Sequence, residues 1–244
     1  MKINQLLANG HKKIAILIDP DKNNSEDNLL PLIEKINSLN PALIFVGGST
    51  VDGIDFKNCI SILKANTNIP IVIFPGSHLQ IDQQADAILF LSLISGRNPD
   101  FLIGHQVEAA PILKNLDLEV IPTAYMLIDG GKNSSVAYVS QTSPIPHDQN
   151  SIAINTAIAG ELMGKKAVFM DAGSGAIQSV SQKMIADVKQ NISVPLIIGG
   201  GLRSIEEVEA VLNAGADVAV IGNKIEESID FLLDLMSIQN NVQK

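Results

Sequence analysis

The sequence has a single cysteine, a deficit of positive charge and no long apolar run, and each shortage excludes a class of protein. Cys59 is the one cysteine in 244 residues. This excludes a disulfide framework and a cysteine-rich metal site, and it suits a reducing cytosol. Lysine and arginine total 17 against 26 aspartates and glutamates, and we find no basic patch for a nucleic-acid backbone. An anionic ligand must therefore be bound by local features of the fold.

No apolar run approaches the roughly 18 residues that a membrane span needs. The residues before Asn9 also lack the continuous apolar segment of a secretion signal. We therefore expect a soluble, cytoplasmic protein with no transmembrane segment. Hydrophobic residues make up 46% of the 244, so the chain can bury a large core, and its length fits one barrel-sized domain over residues 1–244.

Eight apolar runs of strand length alternate with segments whose apolar residues recur at helical spacing. The predicted strands are 13–18, 42–46, 70–74, 87–91, 118–124, 167–170, 194–198 and 218–221. The predicted helices are 25–39, 55–65, 100–116, 151–163, 179–190, 204–214 and 226–238. Continuous apolar strands that alternate with amphipathic helices indicate a parallel sheet covered by helices. Eight such units suit an α/β protein with a closed (β/α)8 TIM barrel.

Two connections depart from this alternation. Only 12 residues separate Phe74 from Ala87, which is close to the lower limit for a parallel crossover with its helix. We therefore expect the helical segment after strand 3 to be shortened or replaced. Residues 129–150 form a polar segment rich in Ser, Thr, Gly and Pro, and a segment of that length is more often a lid or binding loop than a plain connector.

The sixth, seventh and eighth predicted strands all end in glycine-rich sequence. Gly173-Ser174-Gly175 follows the sixth, Gly199-Gly200-Gly201 the seventh and Gly222-Asn223 the eighth. Glycine lets backbone N–H groups converge on an anion, and a helix N-terminus beyond it adds a favourable dipole. One such cluster is as often an ordinary turn, but three at the carboxyl ends of barrel strands predict a phosphate site. A carboxylate among them, Asp171, then needs a functional reason.

Asp19 and Ser49 end the first and second predicted strands, which are neighbours in a barrel. A carboxylate and a hydroxyl there can share a hard cation such as magnesium, which takes one or two protein oxygens and completes its shell with phosphate and water. Taken singly, Asp19 is equally well a cap before Pro20, and Ser49 a hydroxyl at a helix start. The residues alone leave both interpretations open.

Other chemistries have little support in the sequence. The four histidines show no paired metal spacing, and we expect His105 and Glu108, one helical turn apart, to lie on an exposed helix face. Ser174 stands between two glycines, but no histidine and aspartate are placed to complete a serine triad. Cys59 fits a packed core thiol.

The ordered motifs of the chain resemble those of the geranylgeranylglyceryl phosphate synthase family over nearly the whole length. They are Ile18-Asp19-Pro20-Asp21-Lys22, Gly47-Gly48-Ser49-Thr50, residues 135–146, residues 169–176, Gly199-Gly200-Gly201 and Gly222-Asn223. The Asp-Ala-Gly-Ser-Gly-Ala run and the Ser-Pro-Ile-Pro loop are similar to the larger of the family's two groups, the prenylglyceryl phosphate synthases. The resemblance implies a barrel with a modified third helical segment, and a homo-oligomer, either dimer or hexamer.

The activity that the resemblance implies is magnesium-dependent prenyl transfer. A prenyl diphosphate such as geranylgeranyl diphosphate would be joined to the 3-hydroxyl of sn-glycerol 1-phosphate, which gives geranylgeranylglyceryl phosphate and diphosphate. By the same resemblance, Asp19 and Ser49 would be the magnesium ligands. The residues implied to bind sn-glycerol 1-phosphate are Phe169, Met170, Asp171, Ala172, Gly173, Ser174, Gly175, Gly200, Gly201, Gly222 and Asn223.

Asp171 is the expected catalytic base. Many relatives carry Tyr-Leu-Glu where this chain has Phe169-Met170-Asp171, and their Glu is thought to handle the glycerol hydroxyl. The Asp carboxylate reaches roughly 1.5 Å less far than that of Glu, a difference that matters where base and proton must lie within about 2.6–3.2 Å. A shift of backbone or substrate would compensate.

Two other hypotheses remain open on the sequence. Glycine loops at three strand ends also fit a lyase or isomerase acting on a phosphorylated sugar or an amino-acid precursor, but the catalytic lysine of such enzymes is missing from the strand ends. A non-catalytic binder of phospholipid or prenyl phosphate would keep the same motifs, and the departures at Phe169 and Asp171 agree with a loss of turnover.

Overall fold

The computed structural model describes residues 2–48 and 51–242, and its strands close into a barrel. The strands are β1 Lys13–Ile18, β2 Leu43–Val46, β3 Ile71–Ile73, β4 Ala87–Leu93, β5 Glu119–Leu127, β6 Ala167–Asp171, β7 Leu196–Gly199 and β8 Val218–Ile221. All pairs are parallel and follow chain order, with β8 pairing back to β1. The predicted TIM barrel is confirmed.

The helices cover the outside of the barrel. They are α1 Ile3–Leu7, α2 Glu26–Leu39, α3 Gly53–Asn66, α4 His105–Leu113, α5 Ser135–Ser140, α6 Asn150–Leu162, α7 Gln182–Lys189, α8 Ile205–Asn213, α9 Asn223–Glu227 and α10 Phe231–Val242. A π-helical turn, Asp100–Gly104, leads into α4. The sequence did not predict α1, α5 or α9, because five or six residues are too few to show helical periodicity. Within the described residues, no helix is both long and apolar enough to cross a membrane.

Strand alternation divides the core into an interior and an outer layer. Phe45 and Phe169 belong to the interior cluster, whereas Met170 belongs to the layer between barrel and helices. The amino end of the barrel is closed by α1, whose Ile3 and Leu7 join the interior cluster. The Glu119 carboxylate at the start of β5 accepts hydrogen bonds from the N–H groups of Ile3 and Asn4, at 2.7 and 3.0 Å. The opposite, carboxyl end of the barrel is left as the mouth.

The pairing between β3 and β4 is short, and no helix follows β3 before β4 begins in the described residues. These strands pair only through Val72 and Ile73, whereas β4 pairs with β5 along its whole length. Residues 74–86, all of them described, form turns and bends without a helix, as the short connection predicted. Residues of β4 beyond Ile88 therefore extend past β3, and Gln106 of α4 donates from Nε2 to the Leu91 carbonyl there.

Candidate active site

A pocket of about 260 Å³ lies at the mouth of the barrel and extends sideways between β4 and α4. Its floor is aromatic: the rings of Phe74 and Phe169 are stacked with centroids 4.8 Å apart, and Tyr125 meets both edge-on. One end of the pocket is lined by the glycine loops and the other by apolar side chains. A single ligand site thus combines a polar and an apolar half.

Most of the residues expected to bind glycerol phosphate line the polar half. They are Phe169, Asp171, Ser174, Gly175, Gly200, Gly201, Gly222 and Asn223. Gly173 lies beside the pocket, with its N–H directed to Asp171. The side chains of Met170 and Ala172 are buried in the outer layer of the core, so for these two residues the prediction rests on the backbone alone.

The glycine loops after β6 and β7 pack too closely to admit a side chain. Gly200 has φ +83°, and a Cβ there would lie 2.6 Å from the backbone nitrogen of Gly173 and 2.7 Å from Oδ1 of Asp171. Gly173 and Gly175 also have positive φ, +91° and +70°. Glycine is the residue that adopts this conformation without strain, and its lack of a side chain lets the two loops touch.

Asn223 joins the loops after β6 and β8. Its Oδ1 accepts hydrogen bonds from the Gly175 N–H at 3.0 Å and from the Ser174 hydroxyl at 3.1 Å. Arg203, after β7, donates to the carbonyl of Ala176 at 2.8 Å and also lines the pocket. The three loops are therefore held in one arrangement, with a guanidinium at its edge.

Asp171 ends β6 with its carboxylate facing the mouth. Its Oδ2 accepts from the Tyr125 hydroxyl at 2.6 Å, and its Oδ1 accepts from the Gly173 N–H at 2.7 Å. Burial raises the pKa of Asp171, and the two hydrogen bonds oppose the rise because they favour the carboxylate. Burial and the adjacent carboxylate also raise the pKa of Tyr125 well above its ordinary value, so the phenol remains a donor. The arrangement suits a base with a fixed orientation.

Asp19 also reaches the pocket, from the end of β1. Its Oδ1 accepts from the Asp21 N–H at 3.2 Å, and Oδ2 lies 3.8 Å from the Lys22 ammonium. Gly48 passes close beneath it, since a Cβ there would lie 3.0 Å from Oδ1. Ser49, the second expected magnesium ligand, lies outside the described residues. Residues 2–48 and 51–242 contain no group of three or more His, Cys, Asp or Glu side chains that could hold a metal. A single carboxylate such as that of Asp19 would suit a magnesium ion that takes its remaining ligands from substrate and water.

The polar segment 129–150 folds over part of the pocket. It contains α5, and Ser134, Ser135, Val136 and Val139 line the pocket wall. Ile128 and Ile145 form an isolated bridge at its base. The segment therefore occupies the position expected of a binding loop.

One histidine in the apolar half of the pocket lies where the sequence did not predict it. His105 lines the pocket, whereas Glu108 is exposed and pairs with His78 at 3.0 Å. His78 and His105 lie with ring centroids 4.9 Å apart. The expected exposed face thus holds for Glu108 and is wrong for His105, because the missing helix after β3 leaves the start of α4 facing a groove. Cys59 is fully buried, and desolvation raises the pKa of its thiol to about 12, as a packed core thiol requires.

An eight-stranded parallel barrel, with glycine loops at β6 to β8 around one buried carboxylate, defines the class of phosphate-binding (β/α)8 barrels. The model of the PcrB family matches residues 9–239, so the chain belongs to the PcrB family. The geranylgeranylglyceryl phosphate synthase of Flavobacterium johnsoniae is 49% identical over 223 residues, 91% of each chain. That of Pyrococcus furiosus is 40% identical over 235 residues, which cover 93% of this chain and 92% of the relative.

A solved structure agrees at the level of the whole fold. The crystal structure of (S)-3-O-geranylgeranylglyceryl phosphate synthase from Thermoplasma acidophilum, in complex with substrate sn-glycerol-1-phosphate, matches with a TM-score of 0.92 and 33% identity. The match covers 99% of this chain and 98% of that one. The resemblance drawn from the motifs is confirmed.

Proposed function

We propose that this protein transfers the prenyl group of geranylgeranyl diphosphate, or a similar prenyl diphosphate, to the 3-hydroxyl of sn-glycerol 1-phosphate. A bond forms between the glycerol oxygen and C1 of the prenyl chain, the bond from C1 to the diphosphate breaks, and the hydroxyl proton goes to the enzyme. Family membership supports this reaction. The observation that carries it is the position of Asp171, a buried carboxylate between a glycine-lined cavity and an apolar groove.

The polar half of the pocket would bind glycerol phosphate. The loops after β6, β7 and β8 meet there, and backbone N–H groups that turn to a bound anion would replace its water with protein donors. The Arg203 guanidinium adds positive charge at the edge of the site. Since the Ser174 and Gly175 donors are paired with Asn223 in the structure, a phosphate that uses them must displace that amide.

Asp171 would accept the proton of the glycerol 3-hydroxyl. Its raised pKa makes the carboxylate a stronger base than an exposed aspartate, and the Tyr125 and Gly173 hydrogen bonds hold it in one orientation. Asp171 is 8% exposed, so the charge on its carboxylate is weakly screened by water. General-base assistance of this kind contributes roughly 10²–10⁴-fold to the rate.

Asp19, together with Ser49, would hold magnesium at the diphosphate. When bound, the ion supplies positive charge to the oxygens on which negative charge grows as the carbon–oxygen bond breaks. Lys22 lies beside Asp19 and adds a second positive charge to this part of the mouth. The prenyl chain would extend from here into the apolar half of the pocket, whose walls are described below.

We also propose a cytoplasmic homo-oligomer, dimer or hexamer, in line with the sequence expectations. Val107 and Ile112 on α4 and Ile152 on α6 are exposed apolar side chains of the kind that subunit contacts cover. A monomeric mass by light scattering at micromolar concentration would contradict this.

The deciding experiment is turnover of the purified protein with labelled geranylgeranyl diphosphate, magnesium and either enantiomer of glycerol phosphate. We expect labelled product with sn-glycerol 1-phosphate and little with its enantiomer, and loss of product when a chelator removes the metal. Product with neither enantiomer would refute the proposal and favour a non-catalytic binder or another phosphate-binding enzyme.

Asp171→Asn tests the role of the base within that assay. The amide keeps size and polarity but cannot take the proton, so turnover should fall roughly 10²–10⁴-fold while the affinity for sn-glycerol 1-phosphate stays near that of wild type. Since burial raises the folded-state pKa, ionising Asp171 costs stability as pH rises through that pKa. The variant should therefore unfold at a higher temperature than wild type at pH 7, with the gap closing as pH falls. Weakened glycerol phosphate binding with unchanged turnover would instead make Asp171 an orienting acceptor.

A further inference from the structure

The apolar half of the pocket is a channel with three walls. Phe101, His105, Ala109 and Leu113 follow one another at intervals of four residues along the π-helical turn and α4, so one helical stripe faces the pocket. Ile88 and Phe90 of β4 form the second wall, and residues 74–86 form the third. The third wall occupies the place of the helix that the barrel lacks after β3.

Gln106 fixes the wall between α4 and β4. Its Nε2 donates to the carbonyl of Leu91, where β4 extends past β3, and to that of Phe101 at 3.4 Å. The residue is 8% exposed, and in the described part of the chain its Oε1 has no hydrogen-bond partner. The bond to Leu91 therefore joins the α4 wall to β4 through a buried amide.

The opposite side of the channel is held differently, by His78. Its Nε2 lies 3.0 Å from the Glu108 carboxylate, which is 59% exposed, and its ring lies against that of His105. The Nδ1 atom is buried, with no partner among the described residues. A polar contact with an exposed partner contributes little to stability, because water competes for it. The imidazole therefore connects residues 74–86 to α4 through a contact that is easily broken.

We propose that His78 is a specificity-determining residue that forms the roof of the channel and selects for long prenyl chains. The inference rests on the proposed function, because it assigns the channel to the prenyl chain. When the contact with Glu108 is formed, the imidazole covers the part of a long chain that lies against His105 and Ala109. When the contact is broken, the chain can enter or leave the channel from the side. A five-carbon chain bound at the mouth ends short of the roof and gains nothing from it.

Binding of two prenyl diphosphates that differ only in length tests this proposal. Calorimetry without glycerol phosphate compares geranylgeranyl diphosphate with dimethylallyl diphosphate on wild type and His78→Ala. We expect the Kd of the long ligand to rise roughly tenfold, the effect of uncovering one side-chain's worth of apolar contact. The Kd of the short ligand should stay within about twofold of wild type, which is ordinary variation for a group that makes no contact.

Two further variants distinguish a specific effect of His78 on the prenyl chain from a general loss of packing. Glu108→Gln keeps an acceptor oxygen but removes the charge, so it should shift the long-ligand Kd in the same direction by a smaller factor. His11→Ala removes an exposed histidine before β1, at the other end of the barrel, and should change neither Kd. If His78→Ala does not fold, as judged by thermal unfolding, Glu108→Gln decides the outcome.

Equal shifts for both ligands, or no shift for either, would overturn the proposal. The proposed function fails on a different measurement, the absence of product with wild type, and the binding comparison remains interpretable in that case.

Discussion

The two halves of the pocket are built in opposite ways. At β6 to β8 the loops are joined through Asn223, and Gly200 leaves no room for a Cβ. Between β3 and β4 no helix covers residues 74–86, and a contact between His78 and the exposed Glu108 bridges the gap. A small anion is recognised by donors in fixed positions, whereas a flexible apolar chain needs enclosed volume. We therefore expect glycerol phosphate binding to fail on the addition of one methyl group, and prenyl binding to respond gradually.

Asp19→Ala carries the largest expected effect, because Asp19 lines the pocket and is the proposed magnesium ligand at the diphosphate. Loss of the metal ligand should lower turnover by at least about 10³-fold, several kcal/mol of transition-state stabilisation. Affinity for sn-glycerol 1-phosphate and the thermal unfolding midpoint should hardly change. Asp21→Ala, an exposed carboxylate two residues on, is the matched control. Activity retained by Asp19→Ala at saturating magnesium would show that the metal is held elsewhere.

Gly200→Ala tests the rigidity of the phosphate half against a glycine of the same backbone conformation. Gly200 has φ +83° and Gly164 has φ +85°, but a Cβ at Gly164 meets nothing within 4 Å. Both substitutions impose the left-handed strain of about 1–2 kcal/mol, seen as reduced stability in denaturant. Only Gly200→Ala should also push the loops apart and raise the Kd for sn-glycerol 1-phosphate, by about 10²-fold. Equal binding by the two variants would mean that the loop contact does not shape the site.

Ala109→Phe tests the apolar half in the same manner. Ala109 lines the channel, whereas Ala110 beside it is exposed. A ring at position 109 fills space that the prenyl chain would occupy, so the Kd for geranylgeranyl diphosphate should rise about tenfold. Glycerol phosphate binding should not move, and Ala110→Phe should leave both ligands unaffected. A loss of glycerol phosphate binding in Ala109→Phe would show that the halves are not independent.

Tyr125→Phe has the smallest expected effect, a shift in pH dependence. The Tyr125 hydrogen bond lowers the pKa of Asp171 against the larger effect of burial, so its removal should raise that pKa further. The acidic limb of the kcat/KM profile should then move to higher pH, with a loss of less than about tenfold on the plateau. Tyr138→Phe alters the other tyrosine, which is 87% exposed, and should leave the profile in place. A shift to lower pH would contradict the role assigned to Asp171.

The arrangement of the polar half of the pocket was predictable from sequence, and that of the apolar half largely was not. Glycines after three apolar runs, with Asp171 among them, are local signals, and the barrel itself follows from periodicity. Tyr125 escaped prediction because the fifth strand was expected to stop at Ala124, whereas it continues to Leu127, and because its partner is 46 residues away. The alternation of side chains along the strands would have indicated Tyr125, because it pairs in register with Phe169 and so points to the same side of the sheet.

The position of His78 at the roof of the channel could not be inferred from sequence, because it depends on the missing helix after β3. A short connection after β3 predicts that a helix is missing but does not say which side chains meet across the space. His78 and Glu108 are 30 residues apart in sequence and belong to different elements. Their contact depends on how far apart residues 74–86 and α4 lie in the packed barrel, which the sequence does not give.

The missing helix after β3 has a kinetic consequence. If a barrel has a single opening, its two substrates must bind in a fixed order, because the first one bound blocks the way of the second. Here the polar substrate would arrive along the barrel axis and the lipid through the side wall, so neither obstructs the other. The rate law should therefore show random-order addition, and the lipid product can depart sideways while the next glycerol phosphate is already in place.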